Sequence, residues 1–487
     1  MSADATLFRL RAIMWPWRRH NHGRCRRNIV CLAFDLRRFN HAPLERPSNQ
    51  LTGCRMSTIL SKHSGRVQAT TTRIALFAVA LISFVPFFLS LLTWSVDGLM
   101  TRAQILIRVL SLVAVFAEIL VLLVAIRRGF VFRDVHDATP PRLRIVAGVW
   151  ISVAMLAVVI GGADNLIFSA IITARYGLQI VTIFALIFLL RSEPQFSAIH
   201  WFLWMTAGQM AYLAALTFFI VAIPHPKDFS WLGGLPSATS IRHIANYLSI
   251  MCLAPISVFL FAQGHKKHYL LVCIALTGMF VAWSGSRASL IGIGAAVVVA
   301  VFVLRRHLRK DRVVVLVSAV SLGALSSLAL PTPDSGFGLI HFVDDGVMKV
   351  DVSSGRFEMW QRTASAIFEQ PLFGHGAGRF YDNMSRLYGY DLDNPHNFIL
   401  QYGYDWGLIG VSSGLLLIFV VGIHALRKAN TSPMTGFAGV AGYTMLVTIG
   451  LLEGMLYHPL KMLLITAIML PLLAVKAQPN SLNPMTT

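Results

Sequence analysis

The chain has 487 residues, of which 55% are hydrophobic and only 13% charged, with a mean hydropathy of +0.64 and a formal net charge of +20. That balance excludes a soluble globular enzyme and describes an all-α, multi-spanning integral membrane protein. It does not argue for nucleic-acid binding, because residues 1–73 alone carry +11 of the charge, beside the first apolar run. A polybasic stretch there is retained in the cytoplasm and drawn to anionic membrane lipid.

Residues 1–73 are read as a basic cytoplasmic tail. The first 55 lack apolar periodicity, whereas Met56 opens a short polar lead into the first apolar run. Two readings stand: a translation start at Met56, or a disordered tail. Cys25, Cys31 and Cys54 lie in this tail and Cys252 and Cys273 in apolar runs, which gives neither a disulfide framework nor a zinc pattern. Runs of about 20 residues, long enough to cross a bilayer, begin near Ile74, Ile105, Ile145, Ile167, Ala198, Ile244, Tyr269, Ala288 and Val313, so 74–330 is expected to hold nine spans. Ser284-Gly285-Ser286-Arg287 divides the seventh run from the eighth as a hairpin. Three more spans, from Leu408, Thr435 and Pro459, occupy 405–476, and 477–487 forms a tail, for twelve crossings in all. Of the 42 Lys and Arg residues, 30 fall in the N-terminal 73 residues, the alternate connections and the tail. Cytoplasmic segments retain such residues, so both termini are expected inside and 331–404 outside.

The early spans carry isolated polar residues, Arg108, Glu118, Asp164 and Arg175. Structural pairing within the bundle is the expectation for Glu118. In the 331–404 segment, Ser353 or Ser354 can cap a helix running to Gln370, with Phe357, Trp360, Ala364, Ile367 and Phe368 at helical spacing and Arg356 in its first turn. Pro371 stops it, and Gly374, Gly376 and Gly378 are expected to form a flexible turn that lacks the preceding strand of a dinucleotide site.

Three outward-facing places hold groups suited to chemistry: Arg242-His243, Arg287, and Arg356 with His396-Asn397. Arginine presents a planar fork of donors to phosphate oxygens and stays charged, so several converging arginines imply an anionic ligand. A single arginine at such a place equally anchors a helix end at the interface. His396 can take a proton from a hydroxyl near neutral pH. Histidines 225, 243, 341, 375 and 458 are also placed outside, so residue type alone does not select it. Asp391-Leu392-Asp393 suggests a metal-bound nucleotide sugar, but such donors are cytoplasmic and this loop is placed outside.

Ser284-Gly285-Ser286-Arg287, Arg356 with Trp360, Pro371-Leu372-Phe373-Gly374-His375-Gly376, and Pro395-His396-Asn397 followed by Gly407-Leu408-Ile409-Gly410 together resemble the O-antigen ligase and polymerase superfamily of bacterial surface glycan synthesis. The resemblance covers about residues 269–423, and Ile241-Arg242-His243 resembles one branch. It implies an inner-membrane glycosyltransferase with a large periplasmic loop, 331–404, over a site that uses neither metal nor cofactor. The donor would be an undecaprenyl-diphosphate-linked glycan and the acceptor a lipid A core sugar or a growing glycan. On that resemblance Arg242 and Arg287 hold the diphosphate, His396 deprotonates or orients the acceptor hydroxyl, Asn397 orders the loop, and Arg356 and His243 assist. A ligase is favoured, an O-antigen or exopolysaccharide polymerase is the alternative, and a lipid-linked sugar transporter is the reading from another class.

Overall fold

A computed structural model describes residues 73–92, 100–131, 141–161, 166–193, 196–223, 241–262, 267–331, 356–380, 383–384, 394–454, 456 and 458–474. Nearly all of the basic tail, both candidate caps at Ser353 and Ser354, Asp164, and the Asp391–Asp393 pair lie outside these residues. Thirteen helices are used here: α1 Arg73–Phe88, α2 Met100–Arg127, α3 Pro141–Gly161, α4 Leu166–Ser192, α5 Ala198–Ala222, α6 Ile241–Phe261 and α7 Lys267–Trp283. They continue as α8 Arg287–Val303, α9 Lys310–Ser326, α10 Arg356–Glu369, α11 Phe398–Lys428, α12 Pro433–Leu452 and α13 Pro459–Ala474. The protein is all-α and membrane-spanning. Seven of these helices are long and apolar enough to cross a bilayer; α1, α7, α8 and α13 are apolar but shorter, and α2 has 28 residues.

Local chemistry sets the helix ends. Between α7 and α8 the chain turns at Gly285, whose φ is 62°, and the Ser286 side chain accepts from the Ser289 backbone N–H as an N-cap, so the expected hairpin is present. Asn397 caps α11, its Oδ1 accepting from Ile399 N at 2.9 Å and Leu400 N at 3.3 Å. Pro433 and Pro459 open α12 and α13, where the missing N–H has no intrahelical partner to lose.

The bundle is built around α6, which packs against α5, α7, α8, α12 and α13. Every residue from Ile244 to Leu260 is buried. A helix apolar on all sides belongs in the middle of a helical assembly. In α13 every residue except Met462 is buried, whereas α3 and α9 show wide apolar faces to the surroundings. Gln209 of α5 ties the centre together by donating to Leu248 O at 3.2 Å and to Thr277 Oγ1 at 2.7 Å. Glu118 is buried with Arg175 and Gln179 as its electrostatic neighbours, as its expected pairing requires.

One segment differs from a simple helix-and-loop expectation. Helix α11 is two helices joined at Gly407, whose φ of 68° and ψ of −171° only glycine adopts readily. The Pro371–Gly376 turn docks on that kink. His375 N donates to Tyr404 O at 2.7 Å, Gly376 N to Asp405 O at 3.1 Å, and Leu408 N to Pro371 O at 2.7 Å. The kink frees backbone groups that the turn then satisfies, so this glycine turn is pinned rather than loose. A Cβ at Gly407 would lie 2.2 Å from Leu372 O. Gly407→Ala is therefore expected to destabilise the fold by about 2 kcal/mol or more, measured as thermal unfolding in detergent, and an unchanged midpoint would refute the latch.

The helix after the long connection is Arg356–Glu369, and its buried face is Met359, Thr363 and Ile367 rather than the full predicted stripe. Phe357 and Phe368 are exposed. Met359 and Ile367 pack with Phe380, Met384 and Tyr404 into a small core, leaving the second apolar face outward.

Candidate active site

Arg242 and His243 lie in the first turn of α6, Arg287 opens α8, Arg356 opens α10, and His396 precedes the Asn397 cap of α11. The sequence places Arg242 and His243 in a connecting loop; in the structure they are helical. All of these residues come together at one end of the bundle. Arg242 and Arg287 act electrostatically on Arg356, and Arg356, Lys461 and Arg242 act on His396. Lys461, His396 and Arg242 likewise act on His243, whose ring meets that of His458 edge to face at 4.8 Å. Helices α6, α8, α10, α11 and α13 all point their N-termini into this region. The helix dipoles add positive potential there, beyond the side-chain charges.

The backbone around His396 is held from several sides. Its N–H donates to Asn394 Oδ1 at 3.0 Å, Trp360 Nε1 of α10 donates to Pro395 O at 2.7 Å, and Asn397 caps the next helix. Among the described residues His396 is the only non-glycine with positive φ, 54°. Such a conformation persists where surrounding contacts enforce it, and it concentrates at functional sites. Asn397 thus orders the segment, and Trp360 ties it to the helix that carries Arg356.

Burial, followed by the charges of Arg356, Lys461 and Arg242, brings the His396 imidazole from its ordinary 6.5 down to about 4. The ring is neutral near pH 7 and has a lone pair to receive a proton. Burial, and then Lys461, His243, Arg175 and His396, depress His458 well below the ordinary range. Burial also lowers the proton affinity of Arg356; Glu453 opposes the change, while Arg242 and Arg287 reinforce it. A guanidinium remains charged through such a shift.

Several residues here were not selected from the sequence. Lys461 is 1% exposed in the first turn of α13, and Glu453 is 7% exposed at the end of α12. Glu453 Oε2 accepts from Asn246 Nδ2, and Asn246 Oδ1 in turn accepts from Ser289 Oγ at 2.7 Å. Arg356 Nη1 donates to Leu452 O, next to Glu453. A lone lysine within the apolar run from Pro459 was the available signal, because a charge kept in such a run has a partner or a role. His375, in contrast, is structural: its ring stacks on Tyr404 at 4.6 Å and its Nε2 bonds to Ala366 O at 2.8 Å.

These features define a multi-spanning helical membrane protein with a cationic cluster and a neutral imidazole at one end. The family model described as O-antigen ligase matches residues 271–415, so this stretch is similar to that family and supports the resemblance to the O-antigen ligase and polymerase superfamily. Arg287, Arg356, His396 and the Gly407 kink fall inside the match; Arg242, Glu453 and Lys461 come from helices on either side of it. A curated protein of Haemophilus influenzae, described as uncharacterized, is 23% identical over 180 residues, covering 33% of this chain and 44% of that protein. The chain therefore aligns with less than half the length of that relative.

Proposed function

We propose that this protein transfers a glycan from an undecaprenyl-diphosphate-linked donor to a sugar hydroxyl, as an O-antigen ligase does, at the periplasmic face of a bacterial inner membrane. In this reading the chain crosses twelve times with both termini in the cytoplasm. The observation that carries it is the convergence of Arg242, Arg287, Arg356 and Lys461 around the neutral His396. The acceptor hydroxyl attacks the anomeric carbon, the bond from that carbon to the diphosphate oxygen breaks, and the hydroxyl proton passes to the imidazole. Undecaprenyl diphosphate leaves with more negative charge than the donor diester carried. The four cations, opposed among the described residues by one carboxylate, therefore stabilise the departing group more than the bound donor, which is what lowers a barrier. Holding the acceptor beside the anomeric carbon supplies the remainder.

An apolar cavity of about 160 Å³ supports a lipid-linked donor. It is lined near the cationic cluster by Tyr402, Leu456 and Met462 and toward the other end of the bundle by Leu143 and Leu473. Part of a polyprenyl tail lies there in this reading, next to its own diphosphate. Placement of all the proposed groups at one end favours transfer over a transport path open to both sides.

Purified protein given lipid-linked glycan and lipid A core acceptor is expected to yield extended lipid A core and undecaprenyl diphosphate. A deletion strain should accumulate long lipid-linked chains with a bare core. A core bearing single repeats would instead assign the protein as a polymerase, and absence of any transfer with either acceptor would overturn the reading.

A further inference from the structure

The cluster assembles like charges from four helices, Arg242 of α6, Arg287 of α8, Arg356 of α10 and Lys461 of α13, and such an arrangement is costly before any anionic ligand arrives. Among the described residues one carboxylate acts on it. Glu453, at the end of α12, binds Asn246 of α6, and Asn246 binds Ser289 in the first turn of α8, which also meets Ser286 Oγ at 2.9 Å. These contacts join the helices that carry Arg242 and Arg287. On its other side, Leu452 O accepts from Arg356, so α10 is joined at the same place. Asn394 of the His396 loop packs on the adjoining Gly454, where a Cβ would lie 2.3 Å from Asn394 Oδ1. Glu453 also acts electrostatically on both Arg356 and Lys461.

We infer that Glu453 is a positioning residue: a resident counter-ion that holds Arg356 and Lys461 in the cationic cluster and yields that role to the donor diphosphate. The inference rests on the diphosphate reading of the site given above. Its consequence separates binding from turnover. With the carboxylate neutralised, an incoming diphosphate meets more positive potential and no resident competitor, so it binds more tightly. The cations are then no longer held in the arrangement that stabilises the leaving group, and turnover falls. A residue that only supported the fold would reduce the active fraction and leave the affinity of the folded protein unchanged.

The test uses full-length protein in detergent with undecaprenyl diphosphate as the probe, read by tryptophan fluorescence, and in parallel the transfer rate. Glu453→Gln is expected to bind the probe about tenfold more tightly than wild type and to turn over at least about tenfold more slowly. Asn246→Ala keeps the carboxylate and loses only its tether. It should bind the probe within about twofold of wild type, with slower turnover. Equal or weaker binding by Glu453→Gln overturns the counter-ion role. If Glu453→Gln does not fold, tighter binding by Asn246→Ala overturns it, because the charge is still present. A wild-type protein that does not bind undecaprenyl diphosphate is a different result, and it removes the donor reading itself.

Discussion

His396→Ala is expected to lower the transfer rate by about 10²–10⁴-fold, the range for losing a positioned proton acceptor, while undecaprenyl diphosphate binding is retained. The ring lies beside the cations but is itself neutral, so its removal takes away a base and no donor charge. In the ligand-free protein the imidazole sits at about 4. A bound diphosphate offsets Arg356, Lys461 and Arg242, so the proton affinity of His396 rises when donor is present. The acid limb of the rate at saturating donor should therefore lie above pH 4, and it should be missing from the residual activity of His396→Ala. Stability follows the same group with a definite sign. Between about 4 and the ordinary 6.5 the unfolded chain binds more protons at this position than the folded one, so stability increases as pH rises through that window. His396→Gln should flatten part of that slope in thermal unfolding. A full transfer rate in His396→Ala, with normal folding, would end the assignment.

Arg287→Ala should lower kcat/KM for the donor by about 10²–10³-fold, comparable with loss of one donor from a preorganised anion site. Arg287 is the first residue of α8, directly after the Ser286 cap, so its guanidinium is added to a helix N-terminus that already favours an anion. Arg287→Lys restores charge without the planar fork and should recover only part of the loss. The cap belongs to Ser286 and Ser289, so the unfolding midpoint of either variant should stay near that of wild type. Comparison of donor kinetics with thermal unfolding separates the two contributions, and an unimpaired Arg287→Ala would show that the diphosphate is held elsewhere.

The hairpin at Gly285 and the residues Arg287, Arg356 and His396 were legible because each is written in a few adjacent letters: a glycine, or a charge or imidazole beside an apolar run. The Asn397 cap and the kink at Gly407 were not, because 398–404 reads as loop until the turn at Pro371–Gly376 docks on it. The match over 271–415 covers the same letters. The face of α10 that packs inward was less legible. That helix has apolar residues on two sides, and only the presence of Tyr404 and Phe380 decides which side is buried. Glu453 and Lys461 were harder still. In the sequence they are single charges in the final apolar stretch, far from Arg242 and Arg287, and nothing adjacent to them marks a partner.

Hydropathy alone determined that this is a helical membrane protein, because backbone polar groups in a bilayer must be satisfied within each segment and a long apolar run has only that solution. Which helix lies at the centre was settled only by the tertiary arrangement. Apolarity drives a segment out of water but does not rank its neighbours once every segment is apolar. Packing α6 against α8, α12 and α13 brings Arg242, Arg287, Glu453 and Lys461 to one place, and charges from separate helices become a single site only when that packing sets the distances between them.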